Sequence, residues 1–145
     1  GEVSATGDAE GDIKAVSNRQ PTRQEVQTKN QSFVGEDMQT PPAYSALKIN
    51  GQPAYKLVRA GQDVVLDPRP VTIHSINVTK YDYPFVEFTT EVSSGTYIRS
   101  LVSDAGDKLG TGAYMSGLRR TEVGSFRLNN ACLVADTSIA KLIQA

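Results

Sequence analysis

The stretch FVEFTTEVSSGTYIRSLVSDAGDKLG, residues 85–110, changes its period in the middle, and that change decides the fold class. Up to Val92, Val86, Phe88, Thr90 and Val92 alternate with Glu87, Thr89 and Glu91, the pattern of a half-buried strand. From Thr96 onward Ile98, Leu101, Val102, Ala105 and Leu109 recur at helical spacing, and Gly110 supplies a stop. A strand therefore turns directly into a helix at SSGTYIRSL, residues 93–101. Arg99 falls in the first turn of that helix, where the macrodipole is positive and unsatisfied N–H groups face out. A cation there requires an anion to meet it.

Outward from this centre the chain mixes short strands and helices without a strict βαβ rhythm. RPVTIHSINVTKY, residues 69–81, predicts a strand paired with 85–92, and its phase slip between Ile73 and Ile76 predicts a bulge. His74 reads as a structural strand residue. Before it, Asn50-Gly51 marks a tight turn, and Pro53 opens a short helix ending near Gly61. Pro41 and Pro42 keep the preceding segment extended. In PTRQEVQTKNQSFVG, residues 21–35, Thr22 and Glu25 form a capping box, and Val26, Phe33 and Val34 give an apolar stripe that Gly35 closes. GEVSATGDAEGDIKAV, residues 1–16, reads as short β pieces broken by Gly-Asp turns. AYMSGLRRTEVGSF, residues 113–126, reads as another strand, and SIAKLIQA, residues 138–145, as the start of a helix. The expected class is α+β, a mixed, mainly antiparallel sheet with flanking helices.

Composition narrows the function. At 145 residues, 39% hydrophobic and 21% charged, the chain suits one folded domain with a real core. No apolar run reaches membrane-spanning length, so no membrane partner is expected. Cys132 and His74 are each the sole residue of their type, which removes a disulfide framework and argues against a zinc site or a histidine triad. A reducing, cytoplasmic setting fits. Net charge is -1, yet residues 1–47 carry 7 acidic and 4 basic side chains while 48–127 carry 8 acidic and 10 basic. The middle segment permits a phosphate-bearing partner.

The physics leaves two readings open for each chemistry-bearing residue. Arg99 either snorkels to solvent or adds to an anion site at the helix N-terminus. Tyr97 is either a core aromatic or, beside Arg99, a surface suited to a base or sugar next to a negative charge. Lys48, with Lys56 and Arg59, either guards an edge strand or lines a groove for phosphates. Arg119-Arg120 is equally open. The GDAEG turn lacks the ligand spacing of a calcium loop.

Three ordered stretches, QTPPAYSALKINGQPAYKLVRAG (39–61), SSGTYIRSLVSDAGDKLG (93–110) and GAYMSGLRRTEVGSF (112–126), resemble the TruB family of tRNA pseudouridine synthases, and TGDAEG (6–11) resembles a turn of that family. The resemblance runs from Gly1 to about Phe126. It implies a partial pseudouridine synthase fold, isomerisation of a uridine in the tRNA T-loop, a flipped-out target base, an Asp nucleophile, and no cofactor or metal. By motif, Tyr97 resembles the active-site Tyr beside the base. Arg99 resembles the Arg that pairs with the catalytic Asp, and Leu118 the apolar residue near the flipped base. Lys48 and Arg59 are the candidates for contact with the RNA backbone.

The family's GxLDPxAxG segment and its KxYR motif do not occur in these residues. The expectation is that residues 1–127 are the C-terminal portion of the catalytic domain and 128–145 the start of a following linker or helical segment, with the C-terminal RNA-binding domain absent. Such a chain carries half an active site and is inactive alone. The expected partners are the tRNA T stem-loop and either the missing N-terminal half or a second copy, through an exposed sheet edge. The alternative is a non-catalytic RNA-binding module that keeps the fold.

Overall fold

A computed structural model describes residues 1–131; the 138–145 helix and Cys132 lie outside the described residues. The centre is a three-stranded antiparallel sheet, ordered β3 (Gly35–Gln39), β6 (Arg69–Asp82), β7 (Phe85–Val92), numbered along the chain. It is reached through a hairpin of β1 (Glu2–Ser4) and β2 (Ile13–Ala15), then helix α1 (Arg23–Gln31). Between β3 and β6 stands a small unit of β4 (Lys48–Ile49), β5 (Gln52–Pro53) and α2 (Ala54–Arg59). Helix α3 (Ile98–Leu109) follows β7, and a short hairpin of β8 (Glu122–Val123) and β9 (Phe126–Arg127) ends in one 3-10 turn, Leu128–Asn130. Among the described residues every pairing of named strands is antiparallel, and an isolated parallel bridge joins Asp8 to Met115.

The core lies between the sheet and the two longer helices. Phe33, Ile73, Ile76 and Leu101 form its buried centre, with Phe88, Val92 and Ala105 packed against them. Ile73 and Ile76 both face inward because the ladder slips between Ile73 and Ser75, so the bulge read from the phase of the sequence is present. A second slip, between Val78 and Lys80, left no mark in the apolar pattern. His74 is exposed on β6.

Helix α1 starts where the capping box places it: Thr22 Oγ1 accepts from Glu25 N–H at 3.2 Å, and Glu25 Oε2 accepts from Thr22 N–H at 2.7 Å. Its end differs from expectation. The helix stops at Gln31 with Ser32 as cap, and Gly35, at φ +124°, opens β3 instead of closing α1. Phe33 still reaches the core, where the Lys108 ammonium sits 3.6 Å from its ring centroid. Val34 is left exposed.

Asn50-Gly51 forms the expected turn, with φ of +50° and +84° between β4 and β5. Pro53 serves as the N-cap of α2, one residue earlier than its expected place inside the helix. Helix α3 ends on Gly110 in the left-handed region, φ +66°, as read. The Leu109 carbonyl at that end accepts from the Arg19 guanidinium, which also pairs with Glu25 and so ties the two helices together.

The expected strand over 113–126 is not formed. Residues 116–121 form no ladder, and only the short β8–β9 hairpin follows. The reason lies in Gly106, a buried position of α3. Its carbonyl accepts from Thr111 N–H at 3.0 Å and Gly112 N–H at 3.1 Å, so the chain folds back onto the helix instead of extending along the sheet. A Cβ on Gly106 would collide with the backbone of Gly112 and Ala113. This close approach, not strand propensity, sets the path of the segment.

Candidate active site

Tyr97 is the N-cap of α3, with φ -92° and ψ 111°, and its side chain makes no capping hydrogen bond. The helix N-terminus therefore has no local anion, and Arg99, in its first turn, is free to turn toward the rest of the fold. Its guanidinium gathers three acceptors. NH1 donates to Asp8 Oδ2 at 2.9 Å and to the Thr6 carbonyl at 3.1 Å, and NH2 donates to the Tyr44 carbonyl at 2.8 Å. The pair is mostly shielded, with Arg99 22% and Asp8 21% exposed at the side chain.

The Asp8 turn is built to present a charged carboxylate. Thr6 Oγ1 donates to Asp8 Oδ1 at 2.6 Å, and Glu10 N–H donates to the same oxygen at 3.2 Å. The Thr6 hydroxyl foremost, with the Glu10 amide and the Arg99 charge, holds the Asp8 carboxyl below the usual carboxylate range, against the opposing effect of burial. Gly7 takes the left-handed backbone that the turn needs, φ +76°, and lies in ordinary contact range of Arg99, where a Cβ would sit 3.6 Å from Arg99 Cβ. The Gly7 carbonyl accepts from Met115 N–H at 2.9 Å, which fastens the segment leading to Leu118 beside the same turn.

Residues 39–44 run along the first turn of α3 and attach to it at three points. Gln39 Oε1 accepts from Tyr97 N–H at 2.8 Å while Gln39 Nε2 donates to the Tyr97 carbonyl at 3.1 Å. Ser100 Oγ donates to the Thr40 carbonyl at 2.9 Å, and the Tyr44 carbonyl takes the Arg99 bond already given. This strap leads directly into β4 and the Asn50-Gly51 turn.

Of the residues singled out in the sequence, Tyr97 and Arg99 stand together at the start of α3. Leu118 lies on the irregular stretch just after the Met115 tether, 52% exposed. Lys48 and Arg59 are both exposed in the β4–β5–α2 unit, with the Arg59 guanidinium carbon 5.7 Å from the Tyr55 ring centroid. Asp8, Gln39 and Tyr44 were missed. Asp8 had a signal, since TGDAEG was already matched by resemblance; Tyr44 acts through its main chain and leaves no side-chain signal.

The anion that charge logic demands opposite Arg99 is thus supplied within the chain by Asp8, where the sequence had pointed only to a carboxylate outside these residues. The arrangement still has capacity. Arg99 has five N–H donors and uses three among the described residues, so a second anion can be bound on the remaining two. A half-buried tyrosine beside such an arginine suits an aromatic heterocycle held next to a negative charge.

Two family models match the chain. One, described as TruB family pseudouridylate synthase (N terminal domain), matches residues 1–98, and the other, tRNA pseudouridylate synthase B C-terminal domain, matches residues 99–144. The chain is similar to proteins named tRNA pseudouridine synthase B: 41% identical over 134 residues to that of Methylobacillus flagellatus, 44% over 128 to that of Pseudomonas fluorescens, and 40% over 131 to that of Clostridium novyi. These alignments take in 92%, 88% and 90% of this chain but 44%, 42% and 45% of the relatives, so the chain spans less than half of their length. In three dimensions it is similar to a chain of a crystal structure titled as a Cbf5-Nop10-Gar1 complex, at a TM-score of 0.61 and 32% identity, over 76% of this chain and 28% of that one. The α+β sheet-and-helix arrangement, the family models and the relatives agree. The chain belongs to the TruB family.

Proposed function

We propose that this chain carries part of the active site of a tRNA pseudouridine synthase, which isomerises a uridine in the T-loop. The observation that carries the reading is the Arg99–Asp8 pair, a mostly shielded arginine held at 2.9 Å by one carboxylate with two N–H donors still to spend. The reaction breaks the N1–C1′ bond of uridine and forms C5–C1′, C5 losing a proton as N1 gains one. It is redox-neutral. A nucleophilic Asp, which resemblance assigns to the family's GxLDPxAxG segment, fits as the anion for those spare donors; Arg99 then orients that carboxylate and keeps it ionised.

In this reading Tyr97 lies beside the flipped base and Leu118 packs near it, while Lys48 and Arg59 hold backbone phosphates of the T stem-loop. The segment bearing the nucleophile completes the sheet along one of its edges, β3 or β7. Residues 1–127 act as the C-terminal portion of the catalytic domain.

The test combines this chain with the Asp-bearing segment of the Methylobacillus flagellatus relative and supplies a T stem-loop RNA labelled with tritium at uridine C5. Tritium release and pseudouridine in the digested RNA are expected. A soluble, well-assembled mixture that releases none defeats the proposal.

The exposed Lys48 and Arg59 favour one second reading, an RNA-binding module without chemistry. Arg99→Ala separates the two. In a binding module it weakens RNA binding and lowers the salt dependence; in the enzyme it spares binding and removes turnover.

A further inference from the structure

Tyr97 has to be held without a capping side chain of its own. It stands at the N-cap, where Ser, Thr, Asp or Asn ordinarily supplies a side-chain acceptor, and its ring cannot do so. Its backbone N–H follows a tight turn in which Thr96 N–H already bonds the Ser93 carbonyl. Gln39 closes both ends of the problem. One carboxamide accepts from Tyr97 N–H at 2.8 Å and donates to the Tyr97 carbonyl at 3.1 Å, pairing with that residue as a neighbouring strand would. The Gln39 side chain is effectively out of solvent, at 6% exposure. Its amide orientation is fixed by its partners, because one is a donor and the other an acceptor.

We propose that Gln39 is a positioning residue of the synthase site: its carboxamide fixes the backbone of Tyr97 and thereby aims both Tyr97 and Arg99. The inference rests on the function proposed above. Gln39 ends β3, in register with Arg69 on β6, so the clamp anchors the site to the central sheet and not to a loop. The Tyr97 carbonyl also accepts the first bond of α3, from Leu101 N–H at 3.1 Å, so the same atom sets the direction in which the helix, and Arg99 with it, leaves. A carboxylate at position 39 keeps one bond and turns a lone pair on the Tyr97 carbonyl, whereas a protonated carboxyl reproduces both bonds. The amide function, not packing, is the requirement.

The test uses the assembled enzyme, with Gln39→Met to keep volume without hydrogen bonds, Gln39→Glu to make the clamp protonation-dependent, and the core variant Val26→Ala as a control for stability alone. Each is assayed well below its unfolding temperature. Gln39→Met is expected to lose about tenfold or more in kcat with KM within about twofold, the scale set by one or two lost positioning bonds. Gln39→Glu is expected to gain rate relative to the unsubstituted enzyme as pH falls from about 8 toward about 6, since burial raises a glutamate pKa. Val26→Ala is expected to keep kcat. A Gln39→Met enzyme with full kcat, a loss no larger than that of Val26→Ala, or a Gln39→Glu profile parallel to the parent overturns the inference while the synthase reading stands. An unsubstituted enzyme that forms no pseudouridine overturns the synthase reading itself, and with it the role given to Gln39.

Discussion

Arg99 and Asp8 lie 91 residues apart in sequence and 2.9 Å apart in space, and each is the other's charge partner among the described residues. The pair joins the first hairpin to the first turn of α3, and the synthase site proposed above is built around it. In the assembled enzyme, Arg99→Lys is expected to lower kcat by about a hundredfold or more, the usual cost of losing a preorganised charged donor. Asp8→Asn is expected to cost less, because it leaves the guanidinium in place. Steady-state tritium release measures both, and equal losses for the two variants would contradict the assignment of Arg99 as the nearer group.

Asp8 also predicts an acid sensitivity. Its folded pKa is lowered, so its contribution to stability is present above the unfolded carboxylate value, about pH 4, and is lost as pH falls through the folded value. Urea unfolding at neutral pH should find Asp8→Asn less stable than the parent by about 1–2 kcal/mol, the scale of a hydrogen bond to a charged group. In acid, below about pH 4, the two curves should converge. A difference that is constant with pH would refute the charge argument.

Asp104 predicts the opposite sign. Partial desolvation first, then the like charges of Asp107 and Asp37, raise its pKa, with Lys108 offsetting part of the effect. Its cost to the fold is absent while it stays protonated and appears as pH rises through the raised value. Asp104 is exposed on α3, so solvent screens the effect: Asp104→Asn should raise the unfolding temperature only slightly at neutral pH and leave it unchanged in acid, as read by circular dichroism melts at both conditions.

At Gly106 two effects compete. Alanine favours a helix interior by about 1 kcal/mol over glycine. Here its methyl would strike the backbone of residues 112 and 113, and overpacking of that kind costs about 1–3 kcal/mol with no flexible side chain to yield. The expected outcome for Gly106→Ala is net destabilisation and weaker exchange protection of the Thr111 and Gly112 amides. A more stable Gly106→Ala protein would show that the segment gives way easily.

Lys48→Ala and Arg59→Ala are each expected to weaken T stem-loop binding and to flatten the log–log salt dependence by about one unit. Filter binding across a salt series reads the slope. An unchanged slope would remove these two side chains from the RNA face.

The β6–β7 strand pair, the capping box of α1, the bulge at Ile73 and the Gly110 stop were legible because each is written in local periodicity or a local cap, whereas β3 was not read as a strand. Tyr97 and Arg99 were legible because an arginine in a first helical turn violates the dipole preference. Their partners were not. Asp8 sits in an acidic turn marked only by its resemblance, with nothing local to pair it with Arg99; Tyr44 contributes a carbonyl, and Gln39 looks in sequence like any polar residue before two prolines. Each acquires its role only when the chain brings residues 6–8 and 39–44 against residues 97–100. The 113–126 segment was misread for a related reason: its β-prone composition yields to a backbone contact with Gly106 that no local pattern announces.

The fold-back at Gly106 also sets where this chain can change length. From Gly106, whose carbonyl holds Thr111 and Gly112, to Met115, whose amide holds Gly7, both ends of the span are tied to fixed backbone atoms. One residue added or removed there would break a tether and shift everything that leads to Leu118. Residues 62–68, between α2 and β6, form no strand or helix, and Val65 among them is 88% exposed. Insertions and deletions among relatives should therefore gather in 62–68 and spare 106–115, so that one loop of the protein keeps its count while the other is free to drift.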